Sequence, residues 1–243
     1  MEFDQNSKFD YSQGVLWSTS GGSVNNGATY RSMNLQLQLN WARKFGDHNV
    51  TAMGVFTRQQ NATGSMIPSY RENWVFRTTY NLKDKYFLEY NGAYNGSEKF
   101  ASKNRFGFFN SGAVGWLISQ ENFMKPLKFV DMLKLRSSLG EIGDDSGSRF
   151  LYMSQWAYGG TSTLSLNQGA SPYNWYREAT VGNPEAHWEI VRKFNVGVDY
   201  AFLKGLIAGT VEVFNDNRRD ILVNGGGRSV PPYFGQDPPT ANL

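Results

Sequence analysis

The chain of 243 residues contains no cysteine, which excludes a disulfide framework, a thiolate metal site and a cysteine nucleophile. Its two histidines, His48 and His187, lie far apart and leave little material for a histidine metal centre. No run approaches the roughly 18 apolar residues of a transmembrane helix, and mean hydropathy is −0.50. The opening residues MEFDQNSKFD carry neither the basic n-region nor the apolar h-region of a signal peptide. Charge is scarce as well. Lys+Arg total 24 and Asp+Glu 21, so charged residues make up 19% and the net charge is +3. The cations are scattered, and nucleic acid is not indicated as a partner.

What is present is a β composition: 15% aromatics, 26 glycines, and abundant Asn and Ser. A soluble β-sandwich has such a composition. So does an outer-membrane barrel, whose strands need an apolar residue only at every second position. Hydropathy alone does not separate the two.

The order of residues along the strands does more. Met33, Leu35, Leu37, Leu39 and Trp41 alternate with Asn34, Gln36, Gln38 and Asn40, the period-2 pattern of a strand with one dry and one wet face. A turn at residues 46–49 leads into a return through 50–58. Trp74, Phe76, Tyr80 and Leu82 oppose Asn73, Arg77, Thr79 and Asn81. After a tight turn at Lys83-Asp84, Tyr86, Leu88, Tyr90 and Tyr94 oppose Glu89, Asn91 and Asn95. A glycine-rich strand follows at 107–117, and 120–131, with Pro126 inside it, allows at most one or two helical turns. Alternation resumes at Leu133 and is longest over 188–202, with a return over 206–215. Residues 143–186 read as a long polar and aromatic loop with a short strand at 150–157, and 224–239 as a Gly/Pro loop. The total is roughly eight or nine antiparallel strands joined by alternately short turns and longer loops. Strands of roughly ten residues suit a ~25 Å apolar band at about 45° tilt. The wet face carries amides and hydroxyls rather than Lys and Glu, as a water-filled lumen does and a soluble exterior less often does. The expected fold is therefore all-β: an antiparallel transmembrane barrel segment, part of a large outer-membrane barrel with long extracellular loops. Such a segment would leave unpaired strand edges and aggregate without detergent.

Five collinear stretches between residues 29 and 243 carry a family resemblance. Residues 84–100 (DKYFLEYNGAYNGSEKF) resemble a strand-to-loop signature of the SusC/RagA-like TonB-dependent outer-membrane transporters of Bacteroidetes. Arg105-Phe106-Gly107-Phe108-Phe109-Asn110-Ser111 with Gly115-Trp116 is similar to that family's Arg-Trp-Gly-Phe-Phe-Pro-Ser and Gly-Trp. Residues 133–143 (LKLRSSLGEIG) match a third motif, and Gly182-Asn183-Pro184 with Trp188-Glu189 and residues 194–199 a fourth. Residues 231–242 look like a loop before a later barrel strand. The motif positions singled out are Phe100, Arg105, Gly107, Trp116, Gly140, Asn183, Pro184, Trp188 and Glu189. Asn110 and Asn95 depart from the pattern, where the family prefers Pro and often Asp, at positions with no known chemistry. The resemblance implies that 1–243 is one partial barrel domain of a plugged transporter of about 22 strands. On this reading the plug, the TonB-binding segment, the signal peptide and the terminal strands lie outside it. It implies import of oligomeric glycans or peptides with a SusD-like surface lipoprotein and the TonB complex, in the outer membrane, with no enzymatic step and no cofactor. The alternatives are a soluble carbohydrate-binding β-domain and a passive porin.

Individual residues add candidates. Trp156, Tyr158, Tyr173, Trp175 and Tyr176 in the long loop are rings suited to substrate or partner contact, or to packing the loop on itself. Arg77, Glu89, Lys193 and Asp199 fall on the wet face and are expected to line the lumen, as a substrate route or as ordinary ion-paired wall. Asp144-Asp145-Ser146-Gly147 offers oxygen ligands but lacks the spacing and distal Glu of a calcium loop, and reads as a turn. His187 and Glu189 have no second histidine nearby. Glu178 and Glu185 read as solvated loop residues and not as a glycosidase pair. Gly225-Gly226-Gly227 precedes prolines and no helix, so it is no phosphate cradle.

Overall fold

The computed structural model describes residues 27, 29–64, 67–161, 174–231, 233, 235 and 237–243. Eight strands form one antiparallel sheet: β1 (Tyr30–Phe45), β2 (His48–Thr63), β3 (Ser69–Leu82), β4 (Tyr86–Ser97), β5 (Phe106–Leu117), β6 (Val130–Asp144), β9 (Glu189–Phe202) and β10 (Ile207–Arg219), side by side in that order. A separate hairpin, β7 (Gln155–Thr161) with β8 (Asn174–Thr180), rises from the β6–β9 connection. A two-residue pair, β11 (Leu222–Val223) with β12 (Ala241–Asn242), closes the loop after β10. The expected short strand at 150–157 is thus corrected to 155–161, and the 143–186 loop holds a hairpin. The outer edges of β1 and β10 have no strand partner among the described residues. No described helix is long and apolar enough to cross a membrane.

The connections at residues 46–47, 83–85, 118–129 and 203–206 lie at one end, and those from β2 to β3, from β4 to β5 and from β6 to β9 lie at the other. The 82–85 turn closes with the Lys85 N–H donating to the Leu82 carbonyl at 3.0 Å, and both central residues, Lys83 and Asp84, have φ of 55°. Two left-handed residues give a turn whose twist matches that of the strands, so the hairpin continues without splaying.

Register sorts the side chains into two faces. Leu37, Phe56, Trp74, Tyr94 and Phe108 lie in one cross-strand row, and Leu135, Val198 and Val211 in another. These rows belong to one continuous apolar face that nothing in the described chain covers: Leu39 is 76% and Val213 70% exposed. Charges on this face stand only toward strand ends, at Arg31, Arg43, Arg58, Glu72, Glu141, Arg192 and Arg219. The opposite face carries Asn, Gln, Thr and paired charges. A soluble sandwich would bury the leucine side under a second layer, and the described chain supplies none.

The one buried apolar cluster of the described residues sits at the long-loop end. Pairing of β5 with β6 stops at Ser111 and Gly140. Above that point β5 continues on β4, and β6 on β9. Phe100, Phe109, Ala186 and Trp188 form the cluster beside this parting of strands, with Leu151, Ile190 and Leu222 packed against it.

Candidate functional site

The polar wall is built by strand alternation and is tied by ion pairs. Between β3 and β4, Arg77 donates to Glu89 at 2.7 Å, and Asn91 donates to the other Glu89 oxygen at 2.9 Å. Across β6, β9 and β10, Arg136 bridges Asp199 at 3.4 Å and Glu212 at 3.3 Å. Thr210 donates to Asp199 at 2.9 Å, Asn195 donates to Glu212, and Lys193 meets Asp216 at 2.9 Å. All four residues expected on the lumen side, Arg77, Glu89, Lys193 and Asp199, stand on this face, and each has a charge partner. Sequence reading missed the partners Arg136, Glu212 and Asp216. Their signal was available: Arg136 alternates with Leu135, and Glu212 with Val211 and Val213.

The motif residues gather mainly around the long-loop cluster. Phe100 is fully buried. Its ring lies 5.5 Å from that of Trp188, which meets Phe109 edge-on at 5.4 Å. The Trp188 indole N–H donates to the Arg105 carbonyl at 3.1 Å. A Cβ on Gly107 would lie 2.5 Å from the Phe109 ring, and one on Gly140 would lie 2.5 Å from Ser111 Cβ, so both glycines make room for close neighbours. Asn183 donates to the Thr240 carbonyl at 2.9 Å, and the Pro184 carbonyl accepts from Asn104 at 3.4 Å. Glu189, nearly buried, pairs with Arg218 at 3.4 Å. Asn242 donates to the carbonyls of His187 and Asp220 and accepts the His187 N–H, which ties the Gly/Pro loop to the same cluster.

Trp116 stands apart, at the short-turn end. Its indole N–H and the Tyr86 hydroxyl donate to one oxygen of Glu121, at 3.1 and 2.6 Å, and Lys85 approaches the other at 3.3 Å. The Tyr86 hydrogen bond first, then that of Trp116, holds the Glu121 carboxyl below its ordinary range.

The β7–β8 hairpin presents Trp156, Tyr158 and Tyr176 exposed, with the Tyr158 and Tyr176 rings 5.6 Å apart. Trp175 lies over Gly159, where a Cβ would fall 2.5 Å from its ring. Tyr173 falls outside the described residues. Asp144 accepts the Ser146 N–H and hydroxyl within a turn, and Asp145 pairs with Arg71 at 3.2 Å. His187 Nε2 lies 3.8 Å from Asp220, and Glu185 pairs with Lys103. No group of three or more potential metal ligands occurs among the described residues.

No family model matches the chain. The TonB-dependent receptor SusC of Bacteroides thetaiotaomicron is 32% identical over 151 residues, covering 60% of this chain and 14% of that protein. The TonB-dependent receptor P3 of Formosa agariphila is 22% identical over 259 residues, covering 92% of this chain and 25% of that protein. The structure of the RagAB peptide transporter superposes with a TM-score of 0.73 at 16% identity, over 88% of this chain and 26% of that one, and shows the same fold. The chain therefore spans a quarter or less of the length of these curated relatives. By sequence the chain is similar to TonB-dependent receptors of the outer membrane, SusC among them, and its two-faced antiparallel sheet has the fold of the RagAB structure over the residues that superpose.

Proposed function

We propose that residues 1–243 form one partial barrel domain of an importer that carries oligomeric nutrients, glycans or peptides, across the outer membrane. The observation that carries this reading is the division of one sheet into an uncovered apolar face and an ion-paired polar face. The first meets lipid, and the second bounds a wet interior. The paired charges suit a wall that guides a polar oligomer without gripping it, since Arg77, Glu89, Lys193 and Asp199 each already have an oppositely charged partner. The chain binds and conducts; it makes and breaks no covalent bond. Passage is driven through TonB by a plug outside this chain, and similarity to TonB-dependent receptors favours this reading over a passive porin. A SusD-like surface lipoprotein covers the long-loop end, and the β7–β8 hairpin, with Trp156, Tyr158 and Tyr176 outward, is the contact arm for that partner or for substrate.

Uptake by cells carrying the full-length receptor tests the proposal. Trp156→Ala with Tyr176→Ala should lower uptake of a labelled oligosaccharide or peptide mixture while leaving the amount of folded receptor unchanged. Undiminished uptake after deletion of the receptor gene would refute the import role. Undiminished uptake in the double variant would refute only the hairpin's part in it.

A further inference from the structure

One cavity on the outward face gathers three arginines. Arg58, Glu72, Gly96 and Phe106 are cross-strand neighbours in a single row over β2 to β5. The next row toward the short turns is aromatic: Phe56, Trp74, Tyr94 and Phe108. Charge on this face thus begins one step beyond the aromatic row, toward the long loops. Gly96 makes room for the Phe106 ring, which lies 2.5 Å from where its Cβ would be and stacks on Tyr94 at 4.9 Å. Above it, a cavity of about 390 Å³ is lined by Arg58, Arg71, Arg105, Tyr70, Glu72 and Glu98, with Phe150 and Tyr152 from the long loop.

The acidic groups there are engaged. Glu98 pairs with Arg149 at 2.7 Å and accepts the Tyr70 N–H at 3.0 Å; Glu72 accepts the Trp74 indole N–H at 2.9 Å. Among the cations, Arg71 is held by Asp145. Arg58 and Arg105 have no ion-pair partner among the described residues, and the buried Nε of Arg105 has no hydrogen-bond partner. These two unpaired guanidiniums outnumber the one lining carboxylate that no cation pairs, Glu72, and beside aromatic walls they match a phosphate carried on an apolar anchor, since guanidinium binds phosphate in a planar fork and the rings accept the anchor's carbon skeleton.

We infer that this cavity binds the phosphate of a phosphorylated glycolipid of the outer leaflet, with Arg58 and Arg105 as its ligands. The inference rests on the outward face meeting lipid and not on the transported substrate. The test uses full-length receptor in nanodiscs and measures binding of phosphorylated lipid A, dephosphorylated lipid A and inorganic phosphate. Phosphorylated lipid A should bind and raise the melting temperature, and the dephosphorylated form should bind at least tenfold more weakly. Arg58→Gln and Arg105→Gln should each cost about fivefold in affinity for the phosphorylated lipid. Lys83→Gln, at the short-turn end, should leave affinity unchanged and controls for general surface charge. Equal binding of the two lipids, or unchanged affinity in both arginine variants, would overturn the inference. Inorganic phosphate competing as well as the lipid would also overturn it, by marking a free-anion site. Nutrient uptake measured in the same variants should stay intact; the import reading is tested separately, by uptake after deletion of the receptor gene.

Discussion

Leu37 and Gln38 are adjacent in β1 and point to opposite faces, so one charge placed at each in turn reads the solvent on each side. Leu37 is 60% exposed and lies midway between the outward charges Arg31 and Arg43. Those two arginines are separated by about twelve residues, or ~40 Å of strand, which projects to ~28 Å at a 45° tilt. That matches an apolar band of ~25 Å and sets Leu37 near its middle. An arginine at the midplane of a barrel's lipid face costs about 2–4 kcal/mol, a factor of roughly 30 to 700 in the folding equilibrium. On a soluble surface the same change stays within about 0.5 kcal/mol. Gln38 stands among amides, with its side chain donating to Asn40 at 3.0 Å, and an arginine there enters water at little cost. Urea titration of the full-length receptor folded in lipid vesicles should therefore show Leu37→Arg destabilised by about 2–4 kcal/mol and Gln38→Arg within about 0.5 kcal/mol of the parent. Equal effects at the two positions, or a larger one at Gln38, would refute the assignment of faces.

Other parts of the fold make separate predictions. Trp188→Ala should cost about 3–5 kcal/mol in the same titration and expose residues 145–188 to protease, because the ring fills the centre of the buried cluster. Gly143→Ala should cost about 1–3 kcal/mol, since its Cβ would lie 2.0 Å from the Phe109 ring and the neighbours must move. Glu121, its carboxyl held below the ordinary range, stabilises the folded chain fully above the unfolded value, near pH 4. That contribution is lost as pH falls through the lower folded value. An acid titration of stability should accordingly be flatter below about pH 4 for Glu121→Gln than for the parent.

The strands and their two faces were legible because period 2 is a local property and a sheet with different solvents on its sides enforces it at every step. The β7–β8 hairpin was not legible. Its register shifts at Gln155/Trp156 and again at Tyr158/Gly160, so the alternation that would reveal a strand is broken twice within seven residues. A further shift between Val130 and Met132 hides the true start of β6 behind an apparent start at Leu133. The charges Arg77, Glu89, Lys193 and Asp199 could be placed on the polar face, yet which of them pair, and with what, could not be read. Arg136 reaches across two strand boundaries to Asp199 and Glu212, and that depends on strand order, which no local pattern records.

The same distinction explains where the family motifs fall. Over most of this sheet a side chain answers to a solvent, hydrocarbon on one side and water on the other, and many residues satisfy either. Where β5 and β6 part, a side chain answers instead to the volume left by its neighbours. Phe100, Phe109 and Trp188 occupy that space, Gly107 and Gly143 yield to the Phe109 ring, and the Arg105 carbonyl takes the one indole hydrogen that burial would otherwise strand. Asn183 and Asn242 then fasten the following loops to this cluster through backbone carbonyls, which fixes chain path without depending on loop sequence. Motif residues at this place act as a rigid base for the long loops. The exposed loop and hairpin residues above it are free of that packing, which leaves their sequence free to vary.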